Sequence, residues 1–215
     1  MPRIVCLSDT HNSNEQITVP KGDILIHAGD ATISGTAFEL NKFSRWFESL
    51  PHRTKIFVAG NHDWAFELQN ESARDILPKD VIYLQDSSAV VDGLEIYGSP
   101  WQPRFFDWAF NLNRGAEIAE KWKLIPDDID ILITHGPPNG ILDLVPRKGW
   151  DENTGCEELR KRVEEIAKLG RLKLHIFGHI HCGYGTLEEF GVRFVNASNC
   201  DESYQPSQPP IVIDL

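Results

Sequence analysis

Residues 54–63 read Thr54-Lys55-Ile56-Phe57-Val58-Ala59-Gly60-Asn61-His62-Asp63. The β-branched and apolar first half of this segment predicts a buried strand over Thr54–Val58. Gly60 then allows the chain to turn sharply as it leaves the strand, and polar side chains follow at once. In open α/β sheets, ligands bind outside the carboxyl ends of the strands. The segment therefore predicts an α/β fold with functional residues at a strand end.

Other segments follow the same pattern, in which an apolar run ends in His or Asp. They are Ser8-Asp9-Thr10-His11, Ala28-Gly29-Asp30, Thr134-His135-Gly136 and Phe177-Gly178-His179-Ile180-His181. Strand ends that meet at the same edge of a sheet bring their side chains into one cleft. We therefore expect these segments to form a single site.

The remaining apolar pattern predicts alternating strands and helices. Strands are predicted over Arg3–Leu7, Asp23–His27, Val81–Gln85, Asp130–Thr134, Leu172–Phe177 and Ile211–Leu215, and hairpins over Ala89–Tyr97 and Gly185–Asn196. Helices are predicted over Thr36–Leu50 and Gly155–Leu169, the second with a capping box of Thr154 and Glu157. The nearly continuous apolar strands are typical of sheets covered on both faces. Residues 1–215 are predicted to be one α/β domain with a mixed sheet or two stacked sheets.

Composition excludes several classes of protein. The chain has 215 residues, of which 41% are hydrophobic and 25% charged, so it is not a disordered or fibrous chain. Its 21 Lys and Arg against 32 Asp and Glu give a net charge of −11, which argues against stable binding to duplex nucleic acid through a basic face. Its apolar runs are far shorter than the roughly 20 residues that span a bilayer.

The N-terminal sequence lacks the apolar region and cleavage site of a signal peptide, so a cytoplasmic protein is expected. The cysteines, Cys6, Cys156, Cys182 and Cys200, are far apart and have no CxxC spacing. We expect reduced thiols rather than disulfides or a structural zinc site. The sequence does not assign a role to Cys182, which follows His181.

The residue types at the strand ends indicate a metal site. Imidazole nitrogens together with carboxylate oxygens suit Zn, Mn or Fe. The candidate ligands are Asp9, His11, Asp30, Asn61, His135, His179 and His181. These are too many for one tetrahedral ion, whereas two ions that share one carboxylate would use them all. His27, His52 and His175 lie within strands or on a turn and are interpreted as structural.

The order Asp-x-His, Gly-Asp, Gly-Asn-His-Asp, His, Gly-His-x-His over residues 9–181 resembles the calcineurin-like metallophosphoesterase superfamily, and most closely its small metallophosphoesterase domain-containing branch. The resemblance implies a four-layer αββα sandwich of two stacked mixed β-sheets flanked by helices. It also implies that Asp9, His11 and His181 bind a first divalent ion, that Asn61, His135 and His179 bind a second, and that Asp30 bridges them. The second Asp of the family's Gly-Asp-x-x-Asp motif is absent, since Ile33 stands there.

The implied activity is hydrolysis of phosphodiesters, nucleotides among them, by in-line attack of a metal-bridging hydroxide. His62, as a residue that binds no metal, would stabilise or protonate the reacting phosphate, and Asp63 would hold His62 or its loop. Hydrolysis of phosphomonoesters, including phosphoproteins, is the alternative within the enzymes. A non-catalytic metal-bound scaffold is the alternative outside them. The oligomeric state is left open.

Substrate selection must come from the walls of the cleft. Trp101, between Pro100 and Pro103, and Arg104 are predicted to contact the small phosphorylated substrate, the ring by stacking and the guanidinium by charge. For Trp108 and Phe106, packing in the core is the favoured interpretation, since aromatic side chains dominate cores.

Overall fold

A computed structural model describes residues 2–215. Helices separate some of its strands, while others follow one another directly along the chain. The strands are β1 (Arg3–Leu7), β2 (Ile24–His27), β3 (Thr54–Phe57), β4 (Val81–Tyr83), β5 (Ser87–Val91), β6 (Leu94–Ser99), β7 (Gln102–Pro103), β8 (Asn111–Leu112), β9 (Ile131–Thr134), β10 (Leu144–Arg147), β11 (Trp150–Asn153), β12 (Leu174–Phe177), β13 (Gly185–Glu189), β14 (Val192–Asn196) and β15 (Ile211–Asp214). The helices are α1 (Ala37–Ser49), α2 (Trp64–Leu68), α3 (Asn70–Ile76), α4 (Ala116–Trp122) and α5 (Glu157–Ala167).

Two large sheets are stacked face to face. The first has the order β15-β1-β2-β3-β4, in which only β15 is antiparallel to its neighbour. The second has the order β13-β14-β12-β9-β6-β5, with parallel pairing in its centre and an antiparallel hairpin at each edge. Both sheets are therefore mixed.

Three apolar clusters make the layers. Between the sheets, Ile4 and Ile26 of the first sheet join Ile133 and Ile176 of the second in one core. The outer face of the first sheet is covered by α1, α2 and α3, and that of the second by α4 and α5. Because both faces of each sheet are buried, the strands need apolar side chains at successive positions. The four-layer αββα sandwich is confirmed.

The two sheets also meet at their carboxyl ends, where Ser8, after β1, forms an isolated parallel bridge with Ser198, after β14. At this edge the loops after β1, β2, β3, β9 and β12 carry the polar clusters noted in the sequence. The architecture therefore directs these loops towards one another. Among the helices of residues 2–215, none has the length and apolar character needed to cross a bilayer.

The predicted strands and long helices are present, with ends that differ by a few residues. The capping box predicted for α5 was wrong: Cys156 is the N-cap residue of that helix, and its Sγ accepts a hydrogen bond from the backbone N–H of Leu159. A capping box is instead present at α1, between Thr36 and Glu39. The short helices α2, α3 and α4 and the hairpin β10–β11 were not predicted.

Candidate metal centre

The first group of side chains lies at the ends of β1 and β12. His181 Nε2 lies 3.2 Å from Asp9 Oδ1 and 3.2 Å from His11 Nε2, while His11 Nε2 lies 3.8 Å from Asp9 Oδ1. All three side chains can direct one ligand atom to the same point, since these atoms lie within 4.8 Å of one another. The arrangement matches a site for one ion.

The second group lies at the ends of β2, β3, β9 and β12. His135 Nε2 lies 2.9 Å from Asn61 Oδ1 and 3.4 Å from Asp30 Oδ2. His179 completes a cluster with Asp30 and His135 whose ligand atoms lie within 4.8 Å of one another. Asp30 Oδ2 is also 3.8 Å from His11 Nε2, in the first group. Asp30 thus stands between the two groups.

Backbone carbonyl groups fix the orientation of three of the histidine rings. The Nδ1 atoms of His11, His135 and His181 lie 2.9–3.2 Å from the carbonyl oxygens of Thr32, Ala28 and Asp201, respectively. A carbonyl oxygen only accepts, so each Nδ1 donates and, in the neutral ring, each Nε2 presents a lone pair to the centre. This is the orientation that neighbouring groups impose on histidine ligands of metals.

That orientation makes acceptor atoms face one another. The lone pairs of His11 and His181 approach across 3.2 Å, and His135 faces the amide oxygen of Asn61 across 2.9 Å. Such contacts are repulsive unless a cation or a proton lies between the atoms. The donor set of nitrogen, carboxylate oxygen and amide oxygen fits a transition-metal ion in each group. The residues present therefore fit the metal centre that the sequence predicts.

The carboxylates of the centre also raise the proton affinity of two of the rings. Burial lowers the pKa of His135 and His181, but the negative charges of Asp30 and Asp9 and hydrogen bonds to them outweigh it, so that each pKa rises to about 9. Burial would raise the pKa of Asp9, but the hydrogen bond from His181 and the neighbouring histidines lower it well below its usual range. The centre thus has a strongly negative potential, which favours bound cations.

His62 lies beside the two groups. Its Nδ1 donates to the carbonyl oxygen of Ile33 at 2.7 Å, which turns Nε2 towards the centre, 4.0 Å from Asp30 Oδ2. One side of the ring is covered by the indole of Trp108, with ring centroids 4.1 Å apart. His62 also forms a third cluster with His11 and Asp30 that could hold an ion. Its geometry therefore permits contact with either a substrate or a metal.

Asp63 holds the loop rather than the ring of His62. Its buried carboxylate accepts hydrogen bonds from the backbone N–H groups of Gly60, Ala31 and Thr32 and from the hydroxyl of Thr32. These bonds tie the loop after β3 to the loop after β2, which lacks the second Asp of the Gly-Asp-x-x-Asp motif. Burial and the charge of Asp30 raise the pKa of Asp63 to about 6.

The backbone is strained where the candidate ligands stand. Asp9, His11, Asp30 and His179 have φ values of 52°, 40°, 56° and 67°, in the left-handed region that favours glycine. Strain of this kind costs roughly 1–3 kcal/mol per residue and is typical of functional sites. A neighbouring glycine provides the space, since a Cβ at Gly178 would overlap the Asp9 carboxylate.

A cleft of about 620 Å³ lies over the centre. Arg104 lines it and takes part in none of the salt bridges found within residues 2–215. Arg114 and Arg147 also line it, but they are paired with Glu157 and Glu152. Among the described residues 2–215, the cleft therefore offers Arg104 as a cation that no carboxylate neutralises.

The placement predicted for Trp101 was wrong, because its side chain lies outside the lining of the cleft. Its Nε1 donates to Asp86 at 2.9 Å, and the ring packs on Phe110 and beneath the ammonium of Lys121. Trp108, interpreted as a core residue, instead lines the cleft and covers His62. The positions of Trp101 and Trp108 are thus the reverse of those predicted. Both residues lie in the segment between β6 and α4, where no hydrophobic periodicity indicates which side chains turn inward.

Sequence reasoning missed the segment after β14. The hydroxyl of Ser198 donates to Asp9 Oδ2 at 3.0 Å, and the carbonyl of Asp201 orients His181. Tyr204, in the same segment, lies against His11 with ring centroids 4.7 Å apart. The signal was available, because β14 ends at Asn196 and Ala197-Ser198-Asn199 follow it with polar residues, just as in the other segments.

Comparison with known proteins identifies a family of phosphoesterases, which agrees with the candidate metal centre described above. The family model described as calcineurin-like phosphoesterase matches residues 2–183. The human metallophosphoesterase domain-containing protein 1 is 46% identical over 237 residues, covering 99% of this chain and 71% of the relative. A UPF0046 protein of Caenorhabditis elegans is 40% identical over 98% of this chain and 74% of its own length.

Among solved structures, GAP50, the anchor in the inner membrane complex of Plasmodium, aligns with a TM-score of 0.51 at 14% identity. The alignment covers 98% of this chain and 79% of GAP50, and the similarity concerns the fold alone. The family model spans β1 to β12 and all the clustered Asp, His and Asn side chains described above. This chain belongs to the calcineurin-like phosphoesterase family.

Proposed function

We propose that the protein is a dinuclear metal-dependent phosphoesterase that hydrolyses phosphodiesters, nucleotides among them. The observation that carries the proposal is the set of acceptor atoms that face one another at 2.9–3.2 Å in two groups joined by Asp30. The groups lie at the floor of a cleft large enough for a small phosphorylated substrate.

In this proposal Asp9, His11 and His181 hold one divalent ion, Asn61, His135 and His179 hold the other, and Asp30 contacts both. Mn, Fe and Zn all suit these donors. When bound, two such ions would activate water at neutral pH and neutralise the charge of the phosphate. The carbonyl groups of Thr32, Ala28 and Asp201 keep the ligand atoms directed to the centre, so little reorganisation accompanies binding.

His62 has the position of an acid for the leaving oxygen. Its Nδ1 is committed to the carbonyl of Ile33, so only Nε2 can deliver a proton to a substrate above Asp30. Trp108 packs against one face of the ring. A positioned acid of this kind contributes about 10²–10⁴-fold to the rate.

Charge and room favour a diester over a monoester. A monoester brings two negative charges and one organic group, whereas a diester brings one charge and two organic groups. Besides the metal centre, the cleft provides Arg104 as a cation without a carboxylate partner among residues 2–215, while Glu202 adds negative charge to its lining. Its 620 Å³ leave room for a second organic group.

The proposal is tested by measuring metal content and turnover on ethyl p-nitrophenyl phosphate, a diester, and p-nitrophenyl phosphate, a monoester. We expect about two ions per chain, a higher kcat/KM for the diester, and loss of turnover in Asp30→Ala. A higher kcat/KM for the monoester would favour a phosphomonoesterase. Two bound ions without hydrolysis of either substrate would overturn the enzyme assignment in favour of a scaffold.

We also propose a cytoplasmic location and a single domain over 1–215. The cysteines are all free thiols, and Cys6, Cys156 and Cys200 are buried. Unpaired cysteines are typical of proteins in reducing compartments.

A further inference from the structure

A second cavity opens beside the metal centre and has aromatic walls. It measures about 530 Å³ and is lined by Trp64, Phe105, Phe106, Asp107, Trp108 and Tyr204. Several of these rings are exposed, with Phe106 at 75%, Phe105 at 48% and Tyr204 at 46%. We call these six residues the aromatic groove. Large apolar side chains gathered at the surface mark a place where something binds.

The groove is continuous with the cleft over the metal centre, since Phe105, Trp108 and Tyr204 line both cavities. Trp108 lies 4.1 Å from His62 between ring centroids, and Tyr204 lies 4.7 Å from His11 and 5.4 Å from His181. A group that enters the groove therefore contacts rings that pack directly on His62, His11 and His181.

The position of Trp108 indicates which part of the ester the groove receives. The indole packs on the ring of His62, whose free Nε2 faces the centre. In the proposed function His62 serves the leaving oxygen. The group attached to that oxygen therefore extends along Trp108 and away from the metal ligands.

The segments that carry the groove are held in place before any ligand binds. The amide of Asn111 donates to the carbonyl oxygens of Phe105 and Phe106 at 3.2 Å, and it fixes both residues. The carboxylate of Asp201 accepts from the backbone N–H groups of Ser203 and Gln205, on either side of Tyr204. A binding surface fixed in this way loses little entropy when it binds.

We infer that the aromatic groove is the subsite for a planar aromatic group on the leaving-group side of the phosphoester. Rings on several sides of the groove can pack face or edge against such a group, which aliphatic groups of the same size cannot match. Asp107 is the sole ionisable carboxylate that lines the groove among residues 2–215, and no Lys or Arg lines it, so a second phosphate is disfavoured there. This inference rests on the proposed function for the side of the ester to which the ring belongs.

The test compares two ligands that differ in aromaticity and little in size. Methyl benzylphosphonate and methyl cyclohexylmethylphosphonate have the same anionic head and a carbon–phosphorus bond that hydrolysis does not cleave. Titration calorimetry on the metal-loaded full chain gives the Kd of each. We expect the benzyl compound to bind about two- to tenfold more tightly, the range that aromatic pairing provides beyond burial of area.

The variants Trp108→Leu and Tyr204→Leu should bring this affinity ratio close to one. Trp108→Phe and Tyr204→Phe keep a ring, so they should retain most of the ratio and show that loss of folding is not the cause. Phe38→Leu is the matched control, because Phe38 is an aromatic residue on α1 that is 80% exposed and outside both cavities. It should leave the ratio unchanged.

Equal affinities for the two ligands in the unmodified protein would overturn the inference, as would a ratio that both Leu variants leave unchanged. Because these readouts are binding constants, they stand apart from turnover. If the protein failed to hydrolyse ethyl p-nitrophenyl phosphate, the proposed function would fail while the affinity ratio still decided the subsite. A further titration with thymidine 5′-methylphosphonate distinguishes the source of the ring. Tighter binding than that of the benzyl compound would assign a nucleobase, and weaker binding a simple aryl group.

Discussion

Replacement of His62 allows metal binding and catalysis to be measured separately. In the variant His62→Ala the seven proposed ligands remain, so we expect both ions to stay bound while kcat falls about 10²–10⁴-fold, the usual contribution of a positioned acid. Metal analysis and turnover of ethyl p-nitrophenyl phosphate on the same sample check this. His52→Ala is the control, since His52 bonds to the carbonyl of Pro20 and does not line the cleft. Loss of an ion in His62→Ala would instead make His62 a ligand in the cluster with His11 and Asp30.

Metal binding should release protons. His135 and His181 have pKa values of about 9 in the protein without metal, so both rings are protonated at pH 7. A metal ion needs the lone pair that the proton occupies, so loading at pH 7 should release about two protons per chain, and metal affinity should rise as the pH increases towards 9. Calorimetric titrations in buffers of different ionisation enthalpy count the protons. Proton release near zero at pH 7 would contradict the raised pKa values.

Particular residues show what sequence could predict at this scale. Asp9, His11 and His135 could be placed together because each lies just after an apolar strand. The carboxyl ends of neighbouring parallel strands meet at one edge of a sheet, which brings these side chains close together. Trp101 and Trp108 could not be told apart, since the segment between β6 and α4 has little regular structure. Their positions depend on hydrogen bonds with distant partners such as Asp86.

At the level of elements, the capping box of α1 has more than a local effect. Thr36 Oγ1 accepts from the N–H of Glu39, and Glu39 in turn accepts from the N–H groups of Thr36, Ile33 and Ser34 and from the side chain of Asn12. The helix start therefore holds the loops after β1 and β2. Thr36→Ala should lower the free energy of unfolding by about 1 kcal/mol.

Chemical denaturation of Thr36→Ala beside Thr186→Ala measures this effect. Thr186 is exposed on β13, so its replacement should stay within about 0.5 kcal/mol. An equal loss in both variants would show that the cap does not stabilise α1.

The capping box predicted for α5 was wrong for a physical reason. The carboxylate of Asp143 accepts from the N–H of Gly155, and the hydroxyl of Thr154 donates to the carbonyl of Asp143. The Thr154 hydroxyl and the Gly155 N–H group thus close the loop that contains the hairpin β10–β11. The helix starts after them, and tertiary contacts override the local pattern.

For the whole molecule, a buried histidine makes stability depend on pH. His175 lies in the core of the second sheet, and burial lowers its pKa from 6.5 to about 3. Its Nε2 donates to Thr134 Oγ1, whose hydroxyl donates to the carbonyl of Gly136, and its Nδ1 has no partner among residues 2–215. A proton added at Nδ1 would therefore be a buried donor without an acceptor.

Between pH 3 and 6.5 the unfolded chain binds more protons at His175 than the folded chain does. The stabilisation is thus complete above pH 6.5 and is lost as the pH falls, by about 2 kcal/mol at pH 5. His175→Gln should reduce the slope of unfolding free energy against pH over this range. Denaturation at several pH values, with the metal-free chain throughout, checks it, and an unchanged slope would rule out His175 as the cause.

The stacking of two sheets on one core also makes the prediction of a single domain testable. Ile4 and Ile26 share their cluster with Ile133 and Ile176, so neither sheet has a core of its own on the inner face. We expect one cooperative unfolding transition, with tryptophan fluorescence and far-ultraviolet circular dichroism giving the same midpoint. Two separated transitions would instead indicate that the sheets unfold as independent units.

The pairing of β15 with β1 joins Arg3 to Asp214 across nearly the whole sequence. During synthesis on the ribosome, β1 is made long before its antiparallel neighbour, which follows only when residues 211–214 have been added. Until then the strand that leads into Asp9 remains an exposed edge, which is prone to pair with other chains. The first sheet therefore reaches its final form only once residues 211–214 have been made, and nascent chains depend on protection from aggregation until that point.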